Sequence, residues 1–116
     1  MIMRPYKILS ASDKEVTIYI QSKKFNRACS KSIRVALYIW IEKFPNARIH
    51  IDMSNVNKLY ASSFATIANA CRLKFNEWDL KSNVRLTVSS EEVKKLFEKS
   101  LFTLLIDVDV VSDNVI

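Results

Sequence analysis

Apolar positions along this chain recur in two periods, and the switches between them mark out its elements. Tyr6 to Ser10 and Val16 to Ile20 alternate with a period of two, joined by Ala11-Ser12-Asp13-Lys14, which predicts a β-hairpin with Val16, Ile18 and Ile20 on one face. Gln21 to Asn26 is polar and reads as a connection. From Arg27 to about Phe44 the period becomes helical, with Ile33, Ala36, Leu37, Trp40 and Phe44 as the buried stripe and Pro45 as the stop. Arg27, Lys31, Arg34 and Tyr38 line another face of that helix.

The central stretch from Ile49 to Trp78 carries the most information. Ile49, Ile51 and Met53 alternate with His50 and Asp52 as a buried strand, and Ser54-Asn55 turns the chain. Ser62 and Ser63 offer N-cap hydroxyls to a helix whose apolar stripe is Phe64, Ile67, Ala68, Cys71, Phe75 and Trp78. Such a junction aims free backbone N–H groups and the positive end of a helix dipole at one place. Val84, Leu86 and Val88 then form a short strand. Ser89 with Glu92 fits a capping box for a helix carrying Val93, Leu96, Phe97 and Leu101, and Leu104 to Val111 suits a last strand. The order predicts one α/β domain over residues 1–116, with a mixed sheet of about five strands, mostly parallel after the first hairpin, and about three helices.

Composition narrows the chemistry. Glycine is absent from all 116 residues, which excludes the phosphate-binding loop and the dinucleotide fingerprint. Turns therefore fall to Asn, Asp and Ser, and Asn26, Asn46, Asn55, Asn76 and Asn83 all stand at predicted element ends. No run of about 18 apolar residues predicts a membrane span, and the N-terminus lacks the apolar core of a secretory signal, so the cytoplasm is the expected compartment. Cys29 and Cys71 are isolated within predicted helices and read as buried free thiols. The net charge of +6 is uneven, with five bases and no acid between Glu15 and Glu42. An anionic partner is the question that asymmetry raises.

In this order the elements resemble the STAS domain, shared by anti-sigma factor antagonists and the cytoplasmic tails of sulfate transporters. The likeness covers most of the chain and is strongest from Arg48 to Asp107. It rests on the strand and turn Ile51-Asp52-Met53-Ser54-Asn55-Val56, on Tyr60-Ala61-Ser62-Ser63 aligned without gaps to the family's Asp-Ser-Ser-Gly, and on Glu92-Val93-Lys94-Lys95-Leu96-Phe97 with Leu101. Tyr60 stands where the antagonists have Asp, and Ala61 where their phosphorylated serine belongs. Ser63 and Ser100 replace glycines, and the usual last helix is missing or cut short. The resemblance implies a regulatory module without catalytic activity or cofactor. Its partner would be a kinase-fold anti-sigma factor, and Ala61 cannot carry the phosphate that releases it. The implied surface is Asn55, Asn57, Lys58, Tyr60, Ala61, Ser62 and Ser63 with the outer helix face of Thr66, Asn69 and Leu73. Two other readings keep the fold: a subunit docking on the ATPase of a lipid-transporting ABC system, and a sensor of a small anionic ligand at the helix start.

Each candidate has a plainer alternative. Ser62 is a candidate phosphosite, but a hydroxyl at a helix start is first of all a cap. Leu73 is either part of a docking face or a lone exposed leucine. The basic helix face is first a solvated surface. With Tyr38 its only interleaved aromatic and no nucleic-acid motif beside it, nucleic-acid binding is disfavoured. His50, the single histidine, pairs on paper with Asp52 as an acid–base couple. No nucleophile is placed beside them, and no cluster of ligands suggests a metal, so a structural histidine is the expectation. A homodimer is a further candidate assembly.

Overall fold

The computed structural model describes residues 4–60, 83–99 and 106–111 together with Ala65 and Asn69. Strands β1 (Tyr6–Ala11) and β2 (Glu15–Ile20) form the expected antiparallel hairpin. Ser12 closes its turn, its hydroxyl accepting from the Lys14 and Glu15 N–H groups at 3.2 and 3.3 Å. The register shifts between Ile8 and Ser10, so that Leu9 sits in a bulge on the edge strand. β4 (Arg48–Met53), β6 (Val84–Val88) and β7 (Asp107–Val110) then add in parallel, giving a five-stranded sheet in the order β1-β2-β4-β6-β7. This is the mixed α/β sheet that the alternation predicts.

From β2 onward the chain crosses the sheet in one direction. Parallel crossovers are right-handed as a rule, so crossovers that never reverse put their helices on one face, and the two described helices both pack against the same core. The strands answer with alternation, although Thr17 of β2 is buried as well. Val16, Ile18 and Ile20, then Ile49, Ile51 and Met53, then Val84, Leu86 and Val88 are all buried, and they join Ile33, Leu37 and Ile41 of helix α1 (Arg27–Lys43) in one core. Each such aliphatic side chain contributes about 1.5–3 kcal/mol relative to exposure. Val93 of helix α2 (Glu91–Lys99) packs against the same core.

The opposite face of the sheet is polar. Two arginines cross it in opposite directions: Arg48 on β4 reaches over β6 to Asp107 at 3.5 Å, and Arg85 on β6 reaches over β4 to Glu15 at 3.7 Å. These partly exposed pairs add little stability individually, but between them they span all four parallel strands.

Several local expectations need correction. Gln21 to Asn26 is not merely a connection, because Lys24–Phe25 forms a short strand β3 that pairs in parallel with β5 (Lys58–Leu59), and Phe25 is wholly buried. A lone phenylalanine among polar residues has no period, so only its tertiary site shows its role. Ser89 does not cap α2. Ser90 does, its hydroxyl accepting from the Val93 N–H at 3.3 Å, while Ser89 donates to the Val56 carbonyl at 3.0 Å. The third helical position is thus Val93 rather than Glu92, and no reciprocal capping box forms. Leu96, about 60° round the helix from Val93, is exposed. Trp40 and Phe44 are only half-buried, stacked with ring centroids 6.1 Å apart at the margin of the core, and Phe44 is the C-cap of α1. Backbone next to Pro45 is driven out of the helical region, which ends α1 there. The described residues include two helices. The predicted central helix falls mostly outside them, though Ala65 and Asn69 are helical.

Candidate functional site

The small β3–β5 sheet builds the end of the molecule at which the sequence places a site. Both strands lie in segments that leave the carboxyl ends of the main sheet, β3 after β2 and β5 after β4. The turn after β4 is local chemistry: the Asp52 carboxylate accepts from the Ser54 N–H at 3.0 Å, and the Val56 N–H donates to the Met53 carbonyl at 3.0 Å. The chain is then stitched to the other connection. The Asn55 side-chain amide donates to the Gln21 carbonyl at 2.8 Å, and the Asn57 and Lys58 N–H groups both reach the Lys23 carbonyl. The Tyr60 N–H donates to the Phe25 carbonyl at 3.2 Å. Asn26, one residue on, caps α1 by accepting from the Cys29 N–H at 3.0 Å.

Tyr60 therefore leaves β5 beside the first turn of α1. It is 43% exposed, with the Lys58 ammonium 5.8 Å from its ring centroid. Lys24 stands opposite Lys58 in the pairing register, and Arg27 opens the helix, whose first turn carries no acid. Like charges facing across two strands are unfavourable. They mark this end of the molecule as electropositive. The sequence marks Asn26 as an element end and Lys24 as a base upstream of the α1 basic face, but not their place beside Lys58 and Tyr60. The buried Phe25 between them was the available signal, since an isolated aromatic in a polar connection asks what it packs on.

Of the predicted surface, the structure brings together Asn57, Lys58 and Tyr60 as exposed groups, while Asn55 spends its amide on the Gln21 carbonyl. Asn69 is helical and exposed. Ala61, Ser62, Ser63, Thr66 and Leu73 lie outside the described residues, so the candidate phosphosite and the outer helix face are not placed.

His50 faces away from this site, on the polar side of the sheet. The Arg85 guanidinium donates to its Nδ1 at 3.3 Å, which assigns the proton to Nε2, and Nε2 lies 2.7 Å from the Thr87 hydroxyl. Burial, and then the positive charge of Arg85, hold its pKa below the ordinary 6.5. Both nitrogens are thus engaged by β6, and Asp52 is committed to its own turn. The His50–Asp52 couple does not assemble. Burial likewise pushes the Cys29 thiol up to about 11, far from a reactive thiolate at neutral pH. Among the described residues no cluster of His, Cys, Asp or Glu could hold a metal ion, and no helix is long and apolar enough to cross a membrane. No known family model matches this chain, and neither does any curated protein.

Proposed function

We propose that this domain is a non-catalytic protein–protein interaction module of the STAS type, resembling anti-sigma factor antagonists and not switched at the usual serine position, which is Ala61. The observation that carries this reading is Tyr60, an exposed aromatic on backbone hydrogen-bonded to the neighbouring connection, with the Lys58 ammonium over its ring and Lys24 opposite Lys58 in the strand pairing. A rigid aromatic loses little freedom on docking and suits the centre of an interface. The surrounding bases favour a partner with an acidic surface, such as a kinase-fold anti-sigma factor. The net charge of +6 supports a second reading on the same surface, docking on the ATPase of a lipid-transporting ABC system that works beside an anionic membrane.

The test is capture of partners from native lysate by the wild type and by Tyr60→Ala, identified by mass spectrometry. Loss of a kinase-fold protein or an ABC ATPase from the variant, with affinity lowered by about tenfold or more, would support the module and decide between the two readings. The substitution removes an exposed ring, so thermal unfolding of the domain should change little. A partner retained at full affinity by the variant would place the interface elsewhere.

A further inference from the structure

Helix α1 has a second apolar stripe that its own core does not use. Ile33, Ala36 and Leu37 point into the protein, whereas Val35 and Ile39 on the other side are 54% and 55% exposed. At about 100° per residue, Ala28, Ser32, Val35 and Ile39 fall on one narrow strip. Arg27, Lys31, Arg34 and Tyr38 form the adjoining strip. The apolar strip does not stand free on a convex helix. Ser32, Val35 and Ile39 make one wall of a groove of about 400 Å³ whose other wall is Arg4, Pro5 and Tyr6, where the chain enters the edge strand β1. Beside it the edge strand β1 is only partly covered, with Tyr6 and Ile8 half-buried.

We propose that this groove docks an acidic amphipathic segment of a partner protein, with apolar side chains seated against Val35 and Ile39 and carboxylates facing Arg4, Arg27, Lys31 and Arg34. Charge complementarity carries the choice of occupant. Among the described residues, none of these four bases is in an ion pair with a carboxylate of this chain. An apolar strip bordered by unanswered positive charge matches a helix with acids beside its hydrophobic face. A second copy of the chain is a poor occupant, since a two-fold contact would set these bases against their own equivalents. A bilayer is the poorer match, because Arg4, Pro5 and Tyr6 face this strip from a second wall that a segment seated between them would also contact. This surface shares Arg27 with the interface proposed above, but its groove is lined by Ser32, Val35 and Ile39 with Arg4, Pro5 and Tyr6, and Tyr60 is not part of it.

The experiment uses the full chain and a fluorescein-labelled helical peptide of Leu and Glu, with leucines at i, i+3, i+4 and i+7. A peptide with every Glu changed to Lys is the control. Binding is read by anisotropy and mapped by amide chemical shifts, with Ile39→Asp and Lys31→Glu/Arg34→Glu as variants; both alter exposed or half-exposed positions, and their circular dichroism should match the wild type. The expected result is saturable binding of the acidic peptide only, shifts centred on Tyr6, Val35 and Ile39, and about tenfold weakening in each variant. Unaltered binding by Tyr60→Ala would show that the two surfaces are separate. No saturation by about 1 mM peptide would overturn the proposal. So would shifts that map away from the groove. Vesicles of equal parts phosphatidylglycerol and phosphatidylcholine that bind the wild type but not Ile39→Asp, in preference to the peptide, would overturn it in favour of a membrane. A sedimenting dimer that Ile39→Asp dissolves would overturn it in favour of self-association.

Discussion

A histidine can be dressed as a catalyst or as a fastener, and at position 50 the neighbours decide. Arg85 donates to Nδ1, so protonating that nitrogen would break the bond and set two cations side by side. The groups around the ring are Arg85 and Thr87 on β6, Glu15 and Thr17 on β2, and Arg48 and Asp52 on its own strand. Glu15 and Asp52 oppose the shift, but burial and Arg85 outweigh them. Because the folded pKa is depressed below 6.5, the unfolded chain binds the extra proton first as pH falls. His50 thus contributes stability that is complete above 6.5 and is lost as pH drops toward its folded pKa. Urea midpoints measured across that window should fall with pH in the wild type and fall less steeply in His50→Gln. Equal slopes in the two proteins would remove His50 from this role.

At the scale of elements, α1 shows how one helix serves two faces. Asn26 supplies its cap through the Cys29 N–H, and the first main-chain bond follows from the Ser30 N–H to the Asn26 carbonyl. With no acid in the first turn, the cap is the chief local device that satisfies this end. Replacing Asn26 with Ala should cost about 1 kcal/mol in chemical denaturation, and Asn26→Asp should keep most of it because the acceptor oxygen remains. A loss of equal size in both variants would mean that the Cys29 contact does not stabilise the helix. The serines before α2 teach the same point from the other side. Ser89 and Ser90 are equivalent as sequence, yet only Ser90 is oriented to cap, because Ser89 is pulled toward the Val56 carbonyl.

For the molecule as a whole, Phe25 is the piece that converts two loops into a unit. It sits fully buried between the carboxyl end of the main sheet and the first turn of α1, and its carbonyl receives the Tyr60 N–H. Truncation to Ala should cost about 3–5 kcal/mol, a large share of the 5–15 kcal/mol typical of a domain, read as a lowered urea midpoint. A shift worth less than about 1 kcal/mol would mean that the β3–β5 pair is peripheral. Asn55, tied to the Gln21 carbonyl, belongs to the same latch, and its replacement would disturb the site through the backbone rather than by removing a contact surface.

The hydrophobic pattern by itself determined the hairpin, the α1 span, the strands β4 and β6 and which of their faces are buried, and it placed β7 within a longer expected stretch. Val16, Ile18 and Ile20, or Ile49, Ile51 and Met53, obey a period of two that one covered face imposes on any chain. Asn46, Asn55 and Asn83 fall in turns as their backbone tolerance foretold, in a protein without glycine. Only the tertiary structure decided the rest, because the deciding contacts join residues far apart in sequence. Phe25 has no periodic neighbours, and its partner strand lies beyond an entire helix and strand. Lys24 meets Lys58 only through that pairing, and His50 finds Arg85 and Thr87 only through the register of β4 with β6. The groove beside α1 needs the start of β1 as its second wall. Local pattern reports what one element must bury; which polar groups then meet is set by register and crossover, and no window of sequence contains them.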